Sequence, residues 1–209
     1  MENPLCQHFF YPDSDPNHLS SSRPVATDLL LLHKETFLMA KRILLDMDGV
    51  MADVYQNLIN LEYRNSGRRI SYRDLEGNNV LTYFPNLSEM LHQKGFFRNL
   101  PLMAGAQEGT EYLNNKYDLY IVTAAVKLPD SMIEKYEWLQ ENFPYIRPQQ
   151  MVFCGSKIPV CGDIMIDDHP KNLYPFCGER ILFTQPNNIH MDFPDFVRIN
   201  SWKDIDTLL

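Results

Sequence analysis

Arg42-Ile43-Leu44-Leu45-Asp46-Met47-Asp48-Gly49-Val50 is a short apolar run that ends in two carboxylates and a glycine. The run predicts a buried strand over residues 42–46. Two ionised aspartates at i and i+2, leaving such a strand, repel each other unless a cation lies between them. A hard divalent ion with oxygen ligands relieves the repulsion, and magnesium is the usual ion where phosphate is also bound. A turn uses the same residue types, so the stretch taken alone leaves both readings open.

Outward from this point the pattern repeats. Apolar runs at 118–123, 151–154, 163–167 and 180–184 predict further strands. Residues 130–143 predict a helix, with Met132, Tyr136, Leu139 and Phe143 at helical spacing and Pro129 near its start. Strands alternating with helices imply an α/β fold, a parallel sheet with helices on both faces and ligands beyond the carboxyl ends of the strands. Between Asp53 and about Ala106 the rhythm changes. Asn, Arg, Tyr and Leu dominate, two helices are expected (53–65 and 86–93), and no buried strand is evident, so the stretch reads as an insertion after the first strand. Residues 1–24, rich in Pro, Ser, Asn and Asp, predict a flexible tail, and 25–38 a short helix. Either Met39 starts the physiological chain or 1–38 is a genuine extension.

Two more strand ends carry reactive side chains. Strand 118–123 ends in Thr123-Ala124, where a hydroxyl can donate to a phosphate oxygen, although such threonines commonly bond backbone. Strand 163–167 runs into Asp167-Asp168-His169, a second carboxylate pair able to complete a metal site with Asp46; a helix N-cap is the alternative. Lys157 lies on the loop after the third strand, and most lone lysines are merely solvated.

The bulk properties narrow the classes. The chain has 209 residues, 44% of them hydrophobic and 22% charged, which is ample for a core. A formal net charge of -8 argues against a nucleic-acid surface. No run approaches the apolar length of a membrane span, and the start lacks the basic region of a signal peptide. Cys6, Cys154, Cys161 and Cys177 form no metal-binding spacing and read as reduced, mostly buried thiols of a cytoplasmic protein.

In this order, a D-x-D strand end, a Thr strand end, a Lys and a D-D strand end resemble the four motifs of the haloacid dehalogenase (HAD) superfamily over about residues 41–200. The resemblance implies a HAD-type Rossmann-like core over 39–52 and 107–209, with 53–106 as a small helical cap. It implies Asp46 as nucleophile, Asp48 as general acid and base, and Thr123 and Lys157 as holders of the phosphoryl group. It implies Mg²⁺ on Asp46, Asp168 and the backbone carbonyl of Asp48, with Asp167 behind them or bound through water.

Further strings are similar to those of the 5′(3′)-deoxyribonucleotidases: the run D-M-D-G-V-M-A-D ending at Asp53, Gly95-Phe96-Phe97-Arg98-Asn99-Leu100-Pro101 with Gly105-Ala106, and Gly162-Asp163-Ile164-Met165-Ile166-Asp167-Asp168. That branch implies hydrolysis of (deoxy)ribonucleoside monophosphates through an aspartyl-phosphate. Phe96 and Phe97 then stand as candidates for the base-binding wall, with plain core packing as the alternative, and Tyr83-Phe84 as a weaker pair. Arg64, Arg68, Arg69 and Arg73 read as solvated. Where this chain has Ala124 and His169, the better-known members carry Ser and Arg, so both substrate-binding positions have weaker donors here. The competing readings are a HAD phosphatase for another ester, such as a sugar phosphate, and a non-catalytic metal- or phosphate-binding protein. Intact Asp46, Asp48, Thr123, Lys157 and Asp168 argue against the latter. The expected partner is a small phosphate ester, with no nucleic acid and no membrane; a homodimer is left open.

Overall fold

The computed structural model describes residues 40–209, so the readings of 1–38 and of Cys6 lie outside the described residues. Six parallel strands form one sheet: β1 Arg42–Leu45, β2 Asp118–Thr123, β3 Met151–Phe153, β4 Ile164–Asp167, β5 Glu179–Phe183 and β6 Val197–Ile199. Their order is β3-β2-β1-β4-β5-β6. The chain builds outward from β1 on one side, then crosses to its other side for β4. That reversal opens a crevice at the carboxyl ends of β1 and β4, the usual ligand position in open α/β sheets.

Side chains alternate across the sheet, as the strand period of two requires. Ile43, Leu45, Leu119, Ile121, Ile164, Ile166, Ile181 and Phe183 enter the larger core cluster. Leu44, Val122, Met165 and Leu182 enter a smaller one. The larger cluster takes in Leu113 of α5 (Ala106–Lys116) as well as Trp138 and Leu139 of α6 (Ser131–Asn142). The smaller is completed by Leu173 of a single helical turn and by the loop residue Phe196, so helical cover on that face is slight.

Between β1 and α5 comes a helical insertion: α1 Val54–Ser66, α2 Tyr72–Leu75, α3 Val80–Tyr83 and α4 Leu87–His92. Asp53 caps α1 by accepting the Gln56 N–H at 2.8 Å. The outgoing and returning chains run side by side: the Asp53 N–H donates to Pro101 O and the Met103 N–H to Met51 O, both at 2.8 Å. Leu58, Leu61, Leu75, Phe84 and Met90 of the insertion belong to the same buried cluster as the sheet residues.

Two expectations need correction. The cysteines were expected to be mostly buried, but Cys161 and Cys177 are exposed and Cys154 is half-buried, because the loops after β3 and α7 (Pro170–Leu173) carry them to the surface. On α6 the inward stripe is Ser131, Lys135, Trp138 and Leu139, whereas Met132 is exposed. No helix of the described residues is long and apolar enough to cross a membrane.

Candidate active site

After β1 the chain winds into a tight turn in which Met47 O accepts the N–H groups of Met51 and Ala52, each at 2.9 Å. The turn sends Asp46 and Asp48 toward the crevice. Gly49 has φ +76°, and a Cβ there would lie 2.8 Å from Asp168 Oδ2. Only glycine permits this approach. The loop after β5 braces the turn from beyond β4. Gln185 Nε2 donates to Gly49 O at 2.6 Å, and Asn188 Nδ2 donates to Asp168 O at 2.8 Å.

Lys157 is buried between two carboxylates, with Nζ 2.6 Å from Asp46 Oδ1 and 2.7 Å from Asp167 Oδ2. An ammonium has three protons, so one remains for a ligand. Burial alone would lower the Lys157 pKa, but Asp46 and Asp167 outweigh it and hold the ammonium above its ordinary value. Asp167 is fully engaged: it also accepts the His169 N–H at 2.8 Å and the Asn172 amide on both oxygens.

Burial, then the charge of Asp167, pushes the Asp46 carboxyl up to about 7, against the pull of Lys157. Asp168 is also raised, by burial first and then by Asp167 and Asp46. Asp168 Oδ1 and Asp48 Oδ1 are buried oxygens with no hydrogen-bond partner. Oxygens of Asp46, Asp167 and Asp168 lie within 4.8 Å of one another. An all-oxygen set with orphaned acceptors fits a hard divalent cation.

Lys135 was not singled out by any motif, yet it is buried in the site. Its ammonium pairs with Asp48 Oδ2 and donates to Thr123 Oγ1 at 3.0 Å. Because the lysine can only donate, Thr123 must accept, which leaves its own O–H free to donate to a ligand. The signal was there to be read: a lysine four residues after Ser131 and three before Trp138, on the inward stripe of a helix. With Lys157, the two ammonium groups face the four carboxylates of Asp46, Asp48, Asp167 and Asp168, an excess of two negative charges when all are ionised.

The remaining candidates divide. The Phe97 ring centroid lies 4.6 Å from Lys135 Nζ, so this ring borders the site. Phe96 is instead part of a cavity wall with Leu61 and Arg64, and its carbonyl accepts from Asn57 at 3.1 Å. Ala124 is exposed just beyond Thr123. The His169 pKa is lowered, by burial first and then by Lys171. Asn187 Nδ2 meets its Nδ1 at 3.2 Å, and its Nε2 is 3.8 Å from Asp168 Oδ2. Phe84 is wholly buried. From α1, the Tyr55 hydroxyl comes under the influence of Asp168; burial and then that charge raise its pKa.

A parallel sheet with this order, a helical insertion after β1 and paired carboxylates at both strands of the reversal defines a protein of the HAD-like class. Two solved structures share the fold: a haloacid dehalogenase-like hydrolase of Streptococcus pneumoniae (TM-score 0.50, 13% identity, 81% of this chain and 99% of that one) and a provisionally named HAD hydrolase of Bacillus subtilis, bound to magnesium (TM-score 0.53, 16% identity, 81% and 98%). More particularly, the chain belongs to the family described as 5′ nucleotidase, deoxy (pyrimidine), cytosolic type C protein, whose model matches residues 40–209. The 5′(3′)-deoxyribonucleotidase of Bacillus subtilis (strain 168) is 35% identical over 173 residues, 82% of this chain and 99% of that protein. A Staphylococcus aureus (strain Mu50) protein, provisionally given the same name, is 42% identical over 170 residues, 79% of this chain and 93% of that one.

Proposed function

We propose that this chain is a phosphomonoesterase that removes phosphate from deoxyribonucleoside monophosphates, as the names of its relatives say of them. One observation carries the chemistry: Asp46 is held at a strand end against the Lys157 ammonium, with Asp48 two residues on, tied to a second lysine. Asp46 attacks phosphorus and forms an aspartyl-phosphate as the ester oxygen leaves. Asp48 protonates that oxygen, then takes a proton from the water that hydrolyses the aspartyl-phosphate. The third N–H of Lys157 and the Thr123 hydroxyl hold phosphoryl oxygens, where charge spreads in a loose transition state. Lys135 adds a cation beside them, on a chain that has Ala124 and His169 at the two flanking positions.

Asp46, Asp168 and the backbone carbonyl of Asp48 would hold Mg²⁺, with Asp167 supporting them through Lys157 and His169. When bound, the cation would neutralise the carboxylate cluster and polarise a phosphoryl oxygen. Residues 53–106 act as a cap over a core of 40–52 and 107–209, with Phe97 offering an apolar face beside the phosphate site. A cytoplasmic setting agrees with the word cytosolic in the family description.

The test is phosphate release from matched deoxy- and ribonucleoside monophosphates and sugar phosphates, with and without Mg²⁺. Deoxynucleotides should give the highest kcat/KM, and only with the metal. Equal rates on sugar phosphates would assign the site to another ester.

A further inference from the structure

Helix α6 presents adjacent residues to two different parts of the molecule. Lys135 reaches Asp48 and Thr123. Glu134 instead receives the chain returning from the insertion: its Oε1 accepts the Gly95 N–H at 2.6 Å, and its Oε2 accepts those of Phe97 at 3.1 Å and Arg98 at 3.3 Å. A carboxylate that collects several backbone N–H groups is a strong anchor, since each bond is charge-assisted. The same helix adds further holds on this segment. Arg98 pairs with Glu137 at 3.3 Å and with Glu141, and Trp138 Nε1 donates to Leu100 O at 2.8 Å.

The anchored segment carries Phe97, whose ring lies over the Lys135 ammonium. Lys135 is only 3% exposed, and the cation–ring contact is strongest where water is excluded. The path is therefore short: Glu134 holds the backbone of Phe97, the ring covers Lys135, and Lys135 holds Asp48.

We propose that Glu134 is a positioning residue for proton transfer, acting through Phe97 and Lys135 on Asp48. The inference rests on the reading of Asp48 as the group that protonates the leaving oxygen. It makes the insertion part of the acid's geometry as well as a cover over the site.

The test compares the full chain with Glu134→Gln on aryl phosphates whose leaving groups range from phenol to 4-nitrophenol. Glu134→Gln should lower kcat/KM, which reports the phosphoryl-transfer step alone, roughly tenfold for phenyl phosphate, which needs the acid, and by less than about twofold for 4-nitrophenyl phosphate, which does not. Phe97→Leu, which keeps an apolar cover but removes the ring face, should likewise cost phenyl phosphate more than 4-nitrophenyl phosphate, on top of any loss of binding common to both, and this ratio serves if Glu134→Gln folds poorly. The double variant should be no worse than the more affected single one, because both changes act on one path. Equal losses across the series, unchanged kinetics, or additive effects would each overturn the proposal. The aryl series does not require a nucleotide substrate, so the two readings fail separately.

Discussion

Gly49 and Asp168 meet so closely that a single methyl group cannot be placed between them: a Cβ on Gly49 would sit 2.8 Å from Oδ2 and 2.9 Å from Cγ of Asp168. The turn after β1 and the strand end of β4 are thus fitted to one another, and the fit sets where the Asp168 carboxylate lies. Gly49→Ala should cost about 1–2 kcal/mol through the left-handed backbone alone. It should also displace Asp168 and weaken Mg²⁺ binding by calorimetric titration. Wild-type metal affinity in the folded variant would contradict this account.

Asp46→Asn should abolish turnover and leave the protein folded. The amide cannot attack phosphorus, yet it keeps the size of a side chain that is buried against Lys157. Phosphate release and a circular dichroism melt of the same preparation test both halves. Substantial Mg²⁺-dependent activity in a folded Asp46→Asn protein would rule out the nucleophile assignment.

The raised carboxyls make metal-free stability depend on pH. With Asp46 at about 7 and Asp168 also raised, the folded state keeps protons that the unfolded chain releases at about pH 4. The stabilising contribution is therefore full at low pH and is lost as pH rises from about 4 through about 7. In chelator, Tm should fall between pH 5 and 8, and Asp46→Asn should flatten that fall. Mg²⁺ at about a hundred times its Kd at pH 8 would add about 2.7 kcal/mol there, and the same concentration should raise Tm less at pH 5.5, where protons compete for the carboxyls. A Tm in chelator that is level or rises over this range, the same in both proteins, would count against the raised carboxyls.

Lys135→Met should lower kcat/KM by about ten- to a hundred-fold, since it frees Asp48 and removes a cation beside the phosphoryl group. The Met side chain fills similar space, so the melting temperature should change little. Full activity would show that the pairing with Asp48 is incidental.

Phe96 and Phe97 should separate in kinetics. Phe97→Ala should reduce kcat/KM for a deoxynucleotide, because this ring borders the site. Phe96→Ala should mainly destabilise, by about 3–5 kcal/mol for a buried aromatic. Equal kinetic effects from the two would mean that both rings face the substrate.

The contrast between these neighbours shows where sequence stops being informative. Strands β1, β2 and β4 were legible because a continuous apolar run leads directly into Asp46, Thr123 or Asp167. Strand β6 was not, since Val197-Arg198-Ile199 is three residues at the sheet edge, with Val197 exposed and nothing to mark it as buried. The helix over 131–142 was legible, but its orientation was not. Met132 and Tyr136 drew the stripe toward the wrong side, whereas the inward side carries Lys135, whose charge is acceptable only because Asp48 and Thr123 meet it there. That compensation comes from residues 87 and 12 positions away. Glu134 was hidden for the same reason, as its partners lie in a segment 36 to 39 residues earlier.

The pairing of the outgoing and returning chains, Asp53 with Pro101 and Met51 with Met103, makes the insertion start and finish at one place. A segment with joined ends can change length at small entropic cost, about 0.6 kcal/mol for each doubling. The junction thus works as a socket: the carboxylates before it stay fixed while whatever is plugged in beyond it is free to vary. Substrate choice and bond-breaking chemistry can then diverge at different rates, provided that a replacement offers α6 a backbone to grip.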